Sequence, residues 1–182
     1  AGARSVFGVI LGTGVGGGLV YQERLIGGPN AIAGEWGHNP LPWPRTWPYG
    51  DERPGPRCYC GRDGCIETFL SGPGLARDHA AATGRTEAPE AIAAGGDAAA
   101  RESMDRYADR LARALATVIN IFDPEVVVLG GGLSRVASLY DEVPRRWGAW
   151  IFSDRVDTRL CPPRHGDSSG VRGAAWLWPA AP

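Results

Sequence analysis

The sequence predicts an α/β domain built on a mixed sheet, and three observations lead there. Two apolar, β-rich runs near the start flank a glycine turn, which is the pattern of a hairpin. A long segment, Asp97–Phe122, carries Met104, Tyr107, Leu111, Leu115, Val118 and Phe122 at spacings of three or four, one apolar stripe of a helix. A continuous apolar run, Glu125–Leu129, follows it and reads as a strand buried on both faces. Hairpin strands, then helix, strand, helix, strand and helix, define a mixed-sheet α/β domain.

The elements follow in order. Ser5–Leu11 is the first strand, Gly12 to Gly18 the glycine-rich turn, and Leu19 to Tyr21 the second strand. Arg24 to Gly28 is a second turn, with Leu25 and Ile26 opening a short strand. From Pro40 to Pro56 six prolines and little periodicity predict a long irregular loop, ordered by whatever its end binds. Ser71 is an N-cap, Pro73 sits in the first turn, and a helix runs to about Thr83. Ala88–Ala94 is a short helix, and Asp123-Pro124 ends the long one. Gly130 to Gly132 leads to a helix from Ser134, its expected N-cap, to Trp147. Arg155–Leu160 is a strand and Ser168–Trp178 a last helix.

Composition narrows the function classes. The 182 residues are 43% hydrophobic with a net charge of −1, enough for one sizeable core and without the basic surface of a nucleic-acid binder. No run approaches the ~18 apolar residues of a membrane span, and no polybasic anchor or signal peptide is visible. All 19 basic residues are Arg, so no lysine-dependent phosphate loop exists in this chain. The chain opens almost directly on a strand, which leads us to expect part of a larger protein.

Four segments carry chemistry. Cys58, Cys60 and Cys65 lie within eight residues among glycines and charges, a spacing that reads as metal binding more than as disulfides. Zinc takes four ligands, and spacing alone leaves both His38 and Cys161 open as the fourth. Gly12, Thr13 and Gly14 form a turn whose backbone N–H groups can approach a phosphate. Gly130, Gly131 and Gly132 sit between a buried strand and a helix, where α/β folds bind ligands. Glu35, His38 and Glu67 join acidic and imidazole groups beside Trp36, a set suited to sugar hydroxyls. His79, on a helix among Arg and Asp, reads as solvated, and His165 to Asp167 as a helix entry. Asp51 and Asp63 match no catalytic motif.

Taken together, Leu11 to Gly18, Gly34-Glu35-Trp36-Gly37-His38, Cys58 to Glu67, Val128 to Ser134 and His165 to Trp176 resemble the ROK family of repressors and sugar kinases, with its hexokinase/actin-like, ribonuclease H-like fold. The resemblance extends over essentially the whole chain. Ala33 to Trp43 and the C-terminal stretch are most similar to the family's bacterial fructokinases, and the N-acetylglucosamine kinases look next closest.

The resemblance implies a structural zinc on His38, Cys58, Cys60 and Cys65, leaving Cys161 structural. It implies a sugar site at Glu35, His38 and Glu67, and ATP with Mg2+ at Gly12, Thr13 and Gly14 (phosphates) and Gly130, Gly131 and Gly132 (adenosine side). It further implies that residues 1–182 are a C-terminal domain with its zinc loop at about 38–67. The catalytic base would then lie in an N-terminal domain outside this chain, and the chain would be inactive alone, with an exposed apolar face where the other half docks. The expected protein is a cytoplasmic, homodimeric enzyme that converts fructose to fructose 6-phosphate. The alternatives are a mannose, glucose or N-acetylglucosamine kinase, or a sugar-sensing repressor of the same family.

Overall fold

Alternation along Ser5–Leu11 turns Phe7, Val9 and Leu11 to one side, where each is essentially inaccessible, and leaves Ile10 on the more open face. The computed structural model describes residues 2–167 and Gly170. Within them this strand, β1, is central to a five-stranded sheet. It pairs antiparallel with β2 (Val15–Tyr21) and parallel with β6 (Val126–Gly130). β3 (Arg24–Leu25) borders β2, and β7 (Arg159–Cys161) runs parallel to β6 at the other edge. The order β3-β2-β1-β6-β7 is the mixed sheet that the sequence predicts. A small separate hairpin holds β4 (Thr46–Trp47) and β5 (Gly50–Asp51).

The core lies on the Phe7 face. There α4 (Ala98–Phe122) lays Tyr107, Leu111 and Leu115 against the sheet, and α5 (Leu139–Trp147) adds Leu139, Val143 and Trp147. Asp97 caps α4 by accepting from the Ala100 N–H at 2.8 Å. α1 (Ile66–Leu70) buries Ile66, Thr68, Phe69 and Leu70 and turns Glu67 outward. The Tyr107 hydroxyl donates to the Leu70 carbonyl at 2.8 Å, fixing α1 on α4. Ser71 caps α2 (Gly72–Thr83) as expected, and α3 (Pro89–Ala93) follows.

Several expectations need correction. The glycine turn is only Gly12 to Gly14, because Gly16, Gly17 and Gly18 pair within β2. The second tight turn is at Gln22 and Glu23, both at positive φ, rather than at Arg24 to Gly28, and Arg24 already belongs to β3. The helix expected from Ser134 begins at Leu139. Gly132–Arg135 forms a 3-10 turn, and extended Val136 breaks the helical path. Ser134 is therefore no N-cap, and its hydroxyl donates to the Gly131 carbonyl at 2.7 Å. The last strand is shorter than Arg155–Leu160 and ends at Cys161. His79 is fully buried, four residues after Leu75 on the covered face of α2. Its Nδ1 lies 2.9 Å from Ser103 Oγ of α4 and its Nε2 3.7 Å from the Glu87 carboxylate. The expected helix Ser168–Trp178 lies outside the described residues except at Gly170, which is helical.

The proline-rich loop is ordered from beneath by α4. Arg113, fully buried, donates through Nη1 to the carbonyls of Pro42 and Trp43 and through Nη2 to both oxygens of buried Glu52. Arg113 Nε holds Asp109, and Arg110 Nε reaches Glu52 at 2.7 Å. Burial alone would raise the Glu52 carboxyl, but the Arg110 hydrogen bond, the Arg113 charge and the Arg45 N–H hold it below its ordinary value.

Candidate functional site

The site begins with two close backbone approaches. A Cβ on Gly34 would stand 2.1 Å from the Gly17 carbonyl oxygen, and one on Gly37 2.1 Å from that of Val15. With glycine at both positions the segment lies flush on β2, and the Trp36 indole N–H donates to the Gly16 carbonyl at 2.9 Å. The 3-10 turn Trp36–His38 then sets His38 beside the cysteines, with Glu35 exposed at its start.

Backbone pairing closes the long sequence gap to Cys65. The Leu41 N–H donates to the Gly64 carbonyl and the Ile66 N–H to that of Asn39, each at 2.8 Å. A tight knuckle carries the other thiols: the Cys58 N–H donates to the Arg62 carbonyl and the Gly61 N–H to that of Cys58. Gly61 and Gly64 take the positive φ values that this knuckle needs.

His38, Cys58, Cys60 and Cys65 thereby bring one ligand atom each within 4.8 Å of all the others. Cys60 and Cys65 sulfurs are 3.6 Å apart, as are His38 Nδ1 and Cys58 Sγ. Those separations match the edges of a zinc tetrahedron, roughly 3.5–3.8 Å for Zn–S near 2.3 Å and Zn–N near 2.0 Å. Cys161, on edge strand β7 beside Val128, is not in the group. The thiols are pushed apart: the Arg62 backbone N–H brings Cys60 down to about 6, while burial lifts Cys65 to about 12. A bound dication would relieve this conflict by stabilising every thiolate at once.

Glu67 joins this cluster to the glycine turn. Its Oε2 accepts the Val15 N–H at 2.9 Å, and its Oε1 lies 4.0 Å from Cys58 Sγ. A Cβ on Gly14 would stand 2.7 Å from Glu67 Oε2, so a side chain there would make the carboxylate shift. The turn is tied to α2 as well, since the Gly72 N–H donates to the Gly12 carbonyl at 2.8 Å. Thr13 is exposed at its tip.

The second glycine cluster lies alongside. β1 and β6 are parallel neighbours with Ile10 opposite Gly130, so both turns leave the same end of the sheet. Gly131 has φ +78°, and a Cβ there would stand 2.5 Å from the Leu11 carbonyl oxygen. Its N–H donates to the Asp167 carbonyl at 3.0 Å, and Arg135 pairs with the Asp167 carboxylate at 2.5 Å. Asp51 and Asp63 are engaged elsewhere: the Arg53 side chain holds Asp51 down at about 2, and Asp63 pairs with Arg57.

Sequence reading missed two features. Tyr59, between two cysteines and 84% exposed, places its hydroxyl 2.9 Å from His38 Nε2. The buried Arg113–Glu52 pair was missed as well, although Arg106, Arg110 and Arg113 sit at helical spacing beside the apolar stripe.

The parallel and antiparallel strands with paired glycine turns, and the His/Cys knuckle that shares a glutamate with one of them, define a class. The chain belongs to the ROK family, whose model matches residues 1–181. It is 44% identical over 176 residues to the N-acetyl-D-glucosamine kinase of Aliivibrio salmonicida, covering 95% of this chain and 58% of that protein. The chain thus spans about three fifths of the curated relatives it matches. A ROK family glucokinase from Streptomyces griseus, solved with glucose and AMPPNP, superposes with a TM-score of 0.82 at 28% identity, covering 97% of this chain and 61% of that one. The ROK hexokinase of Thermus thermophilus gives 0.76 at 30% identity, with 96% and 56% covered. The mixed α/β architecture is therefore that of the hexokinase/actin-like ROK kinases. No helix among the described residues is long and apolar enough to cross a membrane.

Proposed function

We propose that the full-length protein is a cytoplasmic hexose kinase that transfers the terminal phosphoryl group of ATP, as its Mg2+ complex, to a sugar hydroxyl. The observation that carries this reading is Glu67, whose carboxylate touches the glycine turn on one side and the His/Cys cluster on the other. It brings a phosphate-binding and a hydroxyl-binding surface into contact. Phosphoryl transfer depends mainly on such positioning and on charge neutralisation.

In this reading Glu35 and Glu67 accept hydrogen bonds from sugar hydroxyls, and His38 Nε2 exchanges one with a further hydroxyl. Gly12, Thr13 and Gly14 receive the phosphates, and Gly130, Gly131 and Gly132 the adenosine side. Zinc, when held by His38, Cys58, Cys60 and Cys65, supplies only rigidity: it fixes the imidazole and the loop that ends at Glu67. The general base belongs to an N-terminal domain outside residues 1–182, this chain being the C-terminal one, and exposed Ile10, Ile32 and Ile121 are available to covering partners. A homodimer is the assembly expected.

Fructose is the proposed sugar, on the similarity of Ala33 to Trp43 and of the C-terminal stretch to fructokinases. A second reading, N-acetylglucosamine, is favoured by relatives of that name at 40–44% identity. ADP release from the full-length protein, assayed with fructose, mannose, glucose and N-acetylglucosamine, separates the two. The 182-residue chain serves as control. Turnover with fructose in the full-length protein alone is expected; preferential turnover of N-acetylglucosamine would replace the fructose reading. Full activity from residues 1–182 would refute the upstream base.

A further inference from the structure

Among the described residues, Tyr59 is the one side chain with a hydrogen bond to His38 Nε2, the nitrogen assigned above to the sugar. Its backbone is fixed by the knuckle, since both neighbours, Cys58 and Cys60, belong to the four-ligand group. Its side chain is 84% exposed, and the phenol ring meets the imidazole edge-on, with centroids 5.1 Å apart at 86°. The hydroxyl is 2.9 Å from Nε2, while Nδ1 faces the Cys58 sulfur at 3.6 Å. The imidazole has two polar atoms, so Tyr59 takes the only one left for a substrate.

We propose that Tyr59 is a substrate-mimicking plug: its hydroxyl holds the place of a sugar hydroxyl on His38 Nε2 and must swing away when the sugar binds. This rests on the assignment of His38 to the sugar. A phenol hydroxyl donates and accepts one hydrogen bond each, as a sugar hydroxyl does, so it satisfies Nε2 in either role. One hydrogen bond on an exposed side chain is readily exchanged, and the two hydroxyls compete directly for one atom. Tyr59 acts through His38 and is a positioning residue. It keeps the imidazole oriented while the site is empty and opposes weak ligands that cannot displace it.

The test is Tyr59→Phe in the full-length protein, which keeps the ring and removes the competing hydroxyl. KM for the sugar is expected to fall about 3- to 10-fold with kcat unchanged. Calorimetric sugar affinity without ATP should rise by the same factor, and zinc content should not move. A second readout does not need turnover. In protein carrying 13C-labelled tyrosine, the ring signal absent from Tyr59→Phe should shift as wild type is saturated with sugar. Unchanged affinity and an unmoved ring signal would make Tyr59 a bystander. Weaker sugar binding in Tyr59→Phe would mean that the phenol contacts the sugar instead of yielding to it, and would equally overturn the proposal. Wild-type protein that phosphorylates a hexose while either result holds leaves the kinase reading intact; a protein that neither binds nor phosphorylates any of the four sugars overturns both.

Discussion

Arg113→Met tests whether α4 holds the proline-rich loop. Arg113 is fully buried, and its guanidinium donates to two loop carbonyls, to both oxygens of Glu52 and to Asp109. Methionine fills most of the space and supplies none of these donors. Glu52 then keeps Arg110, the Arg45 N–H and the Trp47 indole, but loses the guanidinium that paired with both its oxygens. Removing one partner of a buried ion pair costs about 3–5 kcal/mol. At about 2–4 °C per kcal/mol for a domain of this size, Tm should drop by roughly 6–20 °C.

The pH dependence follows with a definite sign. Glu52 is held below its ordinary value in the fold, so its contribution is present above that value and lost as pH falls through the folded one. Arg113→Met removes attraction and leaves burial, so the folded value rises and acid unfolding starts at higher pH. Thermal melts by circular dichroism between pH 4 and 8 measure both effects. Trypsin should cut after Arg45 and Arg57 faster in the variant, because the loop has lost its anchor. A Tm within about 2 °C of wild type, with the loop still protected, would refute the reasoning.

Three further predictions follow. Purified protein should carry one zinc per chain by elemental analysis, and Cys65→Ser or a chelator should remove it and expose the 38–67 loop to protease; metal-free protein with an equally protected loop would contradict this. In metal-free protein at pH 7, iodoacetamide should label Cys60 well before Cys65, because Cys60 titrates near 6 and is thiolate there while Cys65, pushed up to about 12, remains a thiol; peptide mass spectrometry reads the order. Gly131→Ala meets both a positive φ and a backbone oxygen at 2.5 Å, so it should cost upwards of about 1–2 kcal/mol and weaken ATP at least about tenfold. Gly132→Ala, whose Cβ would meet nothing within 4 Å, should not lower Tm.

Much of this architecture is legible in residue order because its signals are local. Ser71 and Asp97 cap helices that start where they should, and the Val126–Gly130 run can be little but a buried strand. The cysteine spacing announces a cluster before any coordinate is known. What depends on contacts between distant segments is not legible. Spacing could not choose between His38 and Cys161, because the pairing of residues 39–41 with 64–66 decides it. His79 looked solvated because its neighbours in sequence are charged, whereas its neighbour in space is Ser103. The start of α5 was misplaced because Ser134 has the right chemistry for a cap, while extended Val136 sets the backbone path. The order of the proline-rich loop comes from Glu52 and Arg113, which are 61 residues apart.

Gly34 and Gly37 take part in no chemistry, yet both press against the backbone of β2. A side chain at either would lift Trp36 off the Gly16 carbonyl and carry Glu35 and His38 away with it. In a survey of all single substitutions scored by growth on the proposed sugar substrate, these two positions should tolerate as little as the cysteines do. They would be lost for the opposite reason: the cysteines are needed for the atoms they bring, and the glycines for the atoms they lack. A search for the site by reactivity or labelling would pass over them, although the distance between β2 and both Glu35 and His38 is set there.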